Sequence, residues 1–411
     1  MTDHTRREFL IHSAGVLGAM AILPDLSAAA LRTLTPVELG LIGVGRQGRA
    51  IIVELQKLDN VTIGAICDSD ESRLNAATRR APNAQAYPDY RRLLDDKSIR
   101  GVIIATPTHL HTQIALDALA AGKHVYCEAP LAHTIDDCKR IAGAAATAKT
   151  VFAVGLEGRS NPVYQLARTF YRSDSVRDPV TIEAQHYQKT SWRFSASSPD
   201  RDREVNWRLD PEVSLGLPGE LGVHQFDVFH WYTDKYPESV SGHGSVRAYD
   251  DGRTVADTAH CDLVLPSGLL ARWSGSLANS HAGRYELFRG VNAAIKLAWS
   301  HGWMFKEADA PTQGWEVYAN RQQFHNDEGI TLIAGATKLA EQGKLKEGIG
   351  LPHPSLYYAL ADFVRAVAGE GAVGCDAAAG ARSTMVAIWA AHAVAQGKAI
   401  TIDPASLKVT S

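Results

Sequence analysis

The sequence predicts an α/β protein, and three observations carry that expectation. A glycine-rich turn, Gly43-Val44-Gly45-Arg46-Gln47-Gly48, sits between an apolar strand pattern and a helical one. Strand and helix patterns then alternate as far as Leu156, as they do in a parallel sheet with helices on its faces. Further on, β-rich runs at 239–249, 256–265 and 268–276 are separated by turn residues such as Pro266-Ser267-Gly268, as neighbours in an antiparallel sheet require.

Val37-Glu38-Leu39-Gly40-Leu41-Ile42 reads as the first strand, and the run from Arg49 to Leu55 opens the first helix. In the turn between them the first glycine permits a tight bend. The second lets backbone approach a pyrophosphate, and the third lets helix and strand pack closely. The helix N-terminus adds N–H groups and the positive end of its dipole. A second strand, Val61 to Cys67, ends in Asp68, 20 residues after Gly48, where a carboxylate can accept from the adenosine ribose hydroxyls. These features predict a Rossmann-type dinucleotide-binding domain over residues 36–158, with Gly43, Gly45, Arg46, Gln47, Gly48 and Asp68 at the cofactor. Asp68 would repel a 2′-phosphate and so favours NAD over NADP, a preference tempered by the nearby Arg73.

The buried-strand run Gly101 to Ala105 leads into Thr106-Pro107-Thr108-His109-Leu110-His111, and a helical stretch follows to Ala121. The next strand, His124 to Cys127, runs into Glu128-Ala129-Pro130, and Val151 to Leu156 is the last of the domain. Ligands of such sheets lie at the carboxyl ends of the strands, which adds Thr106, Pro107, His109, His111 and Glu128 to the cofactor contacts. Polar stretches at 195–203 and 320–330 read as long loops. A late helix at 354–368, within a C-terminal helical segment 353–411, reads as packing back near the dinucleotide domain.

Composition narrows the partners. A formal net charge of −3 gives no electrostatic reason to expect nucleic acid or an anionic membrane. Five scattered cysteines show neither a C-x-x-C pair nor zinc-finger spacing, so free buried thiols are expected rather than a disulfide scaffold. At the N-terminus, Thr5-Arg6-Arg7-Glu8-Phe9-Leu10 precedes a mildly apolar run from Gly15 to Leu23 and the small residues Ser27 to Ala30. That order of basic, apolar and small-residue parts resembles a Tat-type signal peptide over residues 1–30. The apolar run is far short of the roughly 20 residues that a membrane span needs. The expectation is a periplasmic or otherwise exported protein that meets the Tat translocase on its way. Free nicotinamide nucleotide is scarce outside the cytoplasm, so an exported enzyme of this kind is expected to hold its cofactor tightly.

The chain also resembles the glucose–fructose oxidoreductase, inositol dehydrogenase and rhizopine-catabolism (Gfo/Idh/MocA) family. The matching pieces are Gly43 to Gly48, Tyr87-Pro88-Asp89-Tyr90, Thr106 to His111, Gly122-Lys123-His124-Val125, Arg159 to Tyr164 and Gly222 to Asp227. The resemblance implies that a second α/β domain, residues 159–352, carries a large, mostly antiparallel sheet. That sheet would floor a carbohydrate site and commonly form a homo-oligomer interface. It also implies hydride transfer to or from a sugar. Two departures stand out. Where the family carries Glu-Lys-Pro, with the lysine near the hydride-transfer carbon, this chain has Glu128-Ala129-Pro130. The family's Asp-x-x-x-His becomes Glu220-Leu221-Gly222-Val223-His224.

His224 is the candidate acid/base, since an imidazole can take a hydroxyl proton as hydride leaves. Glu220 either orients it, acts as a second acid/base, or is a carboxylate at a helix start. Lys189, after the alternating strand Val180 to Tyr187, is the candidate replacement for the absent lysine. Arg159, Tyr164, Trp192, Arg208 and Asp227 suit sugar binding through stacking and hydrogen bonds. No metal site is expected, because His224 and His230 are six apart and cannot present two ligands on one helical turn. Three functions remain open: an NAD(P)-dependent sugar oxidoreductase; a redox-neutral NAD-dependent glycoside hydrolase, motivated by Ala129 and export; and a non-catalytic sugar-binding relic.

Overall fold

The computed structural model describes residues 36–196 and 198–409, and the export signal expected at residues 1–30 lies outside them. Strands and helices alternate from the start: β1 (Val37–Ile42), α1 (Arg46–Leu55), β2 (Val61–Cys67), α2 (Glu71–Thr78), β3 (Gln85–Tyr87), α3 (Tyr90–Asp95), β4 (Gly101–Ile104), α4 (His111–Ala120), β5 (His124–Cys127), α5 (Ile135–Thr147) and β6 (Phe152–Val154). The six strands pair in parallel in the order β3-β2-β1-β4-β5-β6. The order reverses between β1 and β4, where a crevice opens at the carboxyl ends. Local chemistry fixes several helix starts: the Asp70 carboxylate accepts the Ser72 and Arg73 N–H groups at α2, and the Thr134 hydroxyl accepts that of Asp137 at α5.

The second half holds α6 (Pro162–Tyr171), β7 (Pro179–Tyr187), α7 (Pro199–Val205), α8 (Val223–Thr233), β8 (Ser239–Ser245), β9 (Thr258–Val264), β10 (Leu270–Ser276), β11 (Arg284–Gly290), β12 (Ala293–Ala298), β13 (His301–Lys306), β14 (Arg321–Gln323), β15 (Glu328–Thr331), α9 (Ala336–Glu341), α10 (Ser355–Val367), α11 (Ala377–Gln396) and β16 (Ile400–Thr401). Its sheet has ten strands in the order β14-β15-β13-β12-β11-β7-β10-β9-β8-β16. Only β7 and β10 pair in parallel; the other neighbours run antiparallel.

The chain then returns to its first half. Leu356, Leu360, Phe363 and Val364 of α10 share a buried apolar cluster with Ile51, Ile52 and Leu55 of α1. Burying a side chain of that size is worth roughly 1.5–3 kcal/mol, so this contact ties the C-terminal segment to the nucleotide half. Among the described residues no helix is long and apolar enough to cross a membrane.

Two expected loops are structured. Of the stretch 195–203, residues 199–203 belong to α7, which the Ser198 hydroxyl caps, with Pro199 in the first turn and Asp200 and Asp202 behind it. Those are sequence-visible start signals that polarity obscured. The stretch 320–330 forms the β14–β15 hairpin, closed by Phe324 donating to the Asp327 carbonyl.

Candidate functional site

A cleft of about 1120 Å³ opens where the parallel sheet's carboxyl ends face the second half of the chain. On the nucleotide side the backbone of the glycine turn shapes the cleft, with Arg46, Arg49, Arg73 and Arg91 also in its lining. Gly43 has φ +91, and a Cβ there would lie 2.7 Å from the Ala105 carbonyl. A Cβ on Gly48 would meet the Gly43 oxygen at 2.0 Å. Glycine is therefore required at both positions by the turn itself. Gly45 differs, since nothing lies within 4 Å of where its Cβ would be, so the space beside it is open to a ligand. Asp68 accepts the Val44 N–H at 2.9 Å and the Asp70 N–H at 2.9 Å, which fixes its carboxylate at the end of β2. The buried Thr106 hydroxyl has no partner among the described residues. A glycine cradle, a fixed carboxylate and an unpaired hydroxyl along one crevice fit a dinucleotide.

At the ends of β5 and β6 the cleft becomes acidic. Glu128 accepts from Gln47 Nε2 at 3.1 Å. Burial, reinforced by the charge of Glu157, pushes its carboxyl up to about 8, so it stays largely protonated at neutral pH. Glu157, in the turn after β6, is also raised by burial and pulled back by Arg284, whose guanidinium donates to it at 3.2 Å. Arg284 opens β11 and pairs in register with His186 on β7.

The opposite wall descends from a π-helical turn, Pro218–Gly222, that feeds directly into α8. Glu220 lies in that turn rather than in the regular helix expected to begin with it. Its carboxylate accepts the Thr108 hydroxyl at 3.2 Å and faces Arg208 at 3.5 Å. Burial raises its pKa and Arg208 opposes the rise. Arg208 lies over the Trp207 ring, 4.3 Å from its centroid. His224, one residue into α8, is edge-on to Trp299 with ring centroids 6.3 Å apart, and its Nδ1 has no hydrogen-bond partner among the described residues. Burial and then the Arg284 charge push its pKa down to about 3, which leaves the imidazole neutral.

Of the residues singled out from the sequence, Gly43, Gly45, Arg46, Gln47, Asp68, Thr106, Pro107, His109, His111, Glu128, Arg208, Glu220 and His224 line this one cleft. His111 does so from a fully enclosed ring whose two nitrogens lie 2.9 Å from the Pro130 and Thr106 carbonyls. It is thereby used up in tying β4 to β5 rather than in holding a ligand. His109 packs edge-on against Trp207 across the cleft, at 5.9 Å between centroids.

Gly48 packs beneath the turn, against the Gly43 oxygen, without lining the cleft, and five further expected residues are placed elsewhere. Lys189 is exposed and outside the cleft lining, so it does not replace the absent lysine. Arg159 grips Asp227 through both Nε and Nη2, and Ser383 adds a hydrogen bond to the same carboxylate. Both charges are consumed in a buried pair. The Tyr164 phenol donates to Glu286 in the core. Trp192 is buried 5.9 Å from the Arg208 guanidinium, with its ring serving as packing.

The cleft also holds Thr108, Glu157, Trp207 and Arg284, which the sequence reading passed over. Glu157 was within reach, being the first residue after the strand expected at Val151 to Leu156. Arg284 had no local signal, because its place depends on the pairing of β11 with β7. Among the described residues no group of His, Cys, Asp and Glu could hold a metal ion.

Known proteins share this architecture. The model of the GFO_IDH_MocA oxidoreductase family, NAD-binding Rossmann fold, matches residues 37–156, and that of the GFO/IDH/MocA C-terminal domain matches residues 164–290. A myo-inositol 2-dehydrogenase of Thermotoga maritima is 27% identical over 66% of this chain and 75% of its own length. An inositol 2-dehydrogenase of Salmonella typhimurium is matched over only 56% of its length. A glycosyl hydrolase family 109 protein of Shewanella pealeana is 34% identical over 29% of this chain and 28% of its own. Among solved structures, levoglucosan dehydrogenase in complex with NADH and levoglucosan superposes with a TM-score of 0.71 at 20% identity, covering 89% of this chain and 99% of that one.

Proposed function

Since the chain belongs to the GFO/IDH/MocA oxidoreductase family, we propose that it is an NAD-dependent enzyme acting by hydride transfer on a sugar or sugar derivative. One observation carries the reading: the glycine cradle with Asp68 and the neutral His224 open onto the same cleft. Gly43, Gly45, Asp68, Thr106 and Glu128 would hold NAD, which would supply the hydride acceptor. His224 receives the hydroxyl proton, and Thr108 and Arg208 hold Glu220 in place beside it. Asp68 favours NAD over NADP. The substrate class follows from the sugar and polyol dehydrogenases among the relatives. Export by the Tat route, a tightly held nucleotide and a homo-oligomer built on the ten-stranded sheet complete the proposal.

A second reading, a glycoside hydrolase in which the sugar is oxidised only transiently and the nucleotide ends each turnover unchanged, is favoured by the wall beside Ala129. There Glu128 is held as a neutral carboxylic acid next to Glu157. A protonated carboxyl can give its proton to a departing aglycone, a step that simple oxidation does not require.

The test is to denature the purified mature protein without added cofactor and identify the released nucleotide by mass spectrometry. Turnover is then assayed on myo-inositol, levoglucosan and 4-nitrophenyl glycosides. Stoichiometric NAD with an oxidised polyol supports the first reading. Glycoside cleavage with solvent deuterium entering the carbon next to the oxidised one supports the second. A protein that neither contains nor binds NAD sinks both.

A further inference from the structure

We propose that Arg284 is a catalytic residue of this cleft, holding the substrate hydroxyl oxygen whose proton passes to His224. The inference rests on the hydride-transfer reading above and deepens it. In the step, the O–H bond breaks, the proton goes to the neutral His224 ring, and the electron pair stays on the oxygen that faces the guanidinium.

The geometry singles out this arginine. Arg284 and His224 share one platform: the guanidinium lies over the Trp299 ring, and the imidazole stands edge-on to it. Both side chains line the cleft. A guanidinium carries five N–H donors and stays charged in proteins. One of these goes to Glu157, and among the described residues the others have no acceptor. Glu157 thus aims the group without using it up. The other cations of the cleft are placed differently. Arg208 is paired with Glu220 and packed on Trp207, and Arg46 stands exposed in the glycine turn. Arg49, Arg73 and Arg91 line the nucleotide side, the first on the Val44 carbonyl and the others beside Asp70 and Asp89, and Arg203 is exposed on α7. Ala129, beside Glu128 on the same wall, has no charge to offer.

The positive charge acts in two opposing ways. It disfavours protonation of His224, and it stabilises an alkoxide bonded to it directly. The oxygen sits between the two groups, so the second effect is felt at closer range and wins. The same arrangement gives a readout that needs no substrate. His224 is faced by Arg284 from β11, by His186 from β7 and by Asp227 from its own helix. Of these, Arg284 is the charge that holds the ring's protonation down beyond burial itself.

The experiment compares the full-length mature wild type with Arg284→Gln, Arg284→Lys and Arg284→Ala. NADH fluorescence titration serves as the control for folding and nucleotide binding. Histidine ¹⁵N NMR follows the His224 ring, and turnover is read on whichever of myo-inositol, levoglucosan or the 4-nitrophenyl glycosides the wild type uses. We expect Arg284→Gln to bind NADH like wild type and to lose about 10²–10³-fold in kcat, the size seen when a donor to a developing oxyanion is removed. KM should change little, and the His224 titration should move to higher pH. Arg284→Lys should retain more activity than Arg284→Gln, and millimolar methylguanidine should partly restore Arg284→Ala. Equal losses in Gln and Lys with an unmoved His224 titration, or an unimpaired Arg284→Gln, overturn the role while leaving the hydride-transfer reading intact. A wild type that binds NADH yet turns over none of the panel removes both.

Discussion

The two walls of the cleft are built on opposite principles. The nucleotide wall is shaped at its turn by backbone and small side chains: Gly43 and Gly48 are demanded by the turn, Gly45 leaves empty space, and Asp68 is fixed by two N–H groups. The substrate wall is made of partly buried charges held by other charges: Arg284 with Glu157, Arg208 with Glu220, and behind them the deeper pair of Arg159 with Asp227. The first wall shapes a space at little electrostatic cost. Behind the second, the deep Arg159–Asp227 pair is strongly destabilising once halved, while the partly exposed Arg284–Glu157 pair is not. Binding and folding should therefore separate on the nucleotide side and be entangled where the substrate wall meets that deep pair.

The largest effect should come from Asp227→Ala. Asp227 is 1% exposed and receives three N–H contacts from Arg159 besides the Ser383 hydroxyl. Removing it leaves a buried guanidinium unpaired, which costs about 3–5 kcal/mol. Urea unfolding followed by tryptophan fluorescence measures this. A loss under about 1 kcal/mol would mean that water reaches Arg159 and that the second wall is less dry than described.

Gly45→Ala probes the other side of the contrast. Its φ of −64 suits any residue, and the added methyl touches nothing. Stability should stay within about 0.5 kcal/mol of wild type. The methyl nonetheless occupies space that a pyrophosphate must approach, and NADH affinity should fall roughly tenfold or more, about 1.4 kcal/mol. Unchanged affinity would show that the dinucleotide does not run past this glycine. Gly43→Ala, by contrast, should lose stability as well, because its φ is +91 and its Cβ would strike the Ala105 carbonyl.

The same division explains what the sequence could disclose. The nucleotide wall is written in consecutive residues, since a turn between strand and helix is a local object, and Gly43, Gly48 and Asp68 were legible there. The substrate wall depends on partners far apart in the chain. Arg159 meets Asp227 across 68 residues, and Tyr164 meets Glu286 across 122. Arginine and tyrosine beside a sugar site look the same on paper whether they face the ligand or a buried carboxylate. The role of Arg284 needed the register of β11 on β7 and a tryptophan from the turn between β12 and β13. Glu157 is the instructive miss, because the rule that ligands gather at the carboxyl ends of parallel strands already pointed to it.

Glu128 stands where the two walls meet, and its titration sharpens the comparison most finely. It belongs to the nucleotide wall by position, at the end of β5, yet behaves like the substrate wall, with burial and Glu157 raising its carboxyl to about 8 from an ordinary 4.5. Between those two values the folded chain keeps a proton that the unfolded chain releases. Stability must then fall as pH rises through that window, with a slope of at most about 1.4 kcal/mol per pH unit, and level off above it once both forms are ionised. Glu128→Gln keeps a carbonyl oxygen for Gln47 but cannot titrate, so its unfolding free energy should lose this component. Urea titrations of both proteins at a series of pH values provide the comparison, with the wild type losing stability relative to the variant only between about pH 4.5 and pH 8. Parallel curves would place Glu128 in contact with water and with an ordinary carboxylate's behaviour. The acid available to a departing aglycone would then be gone, and with it the main support for the redox-neutral reading.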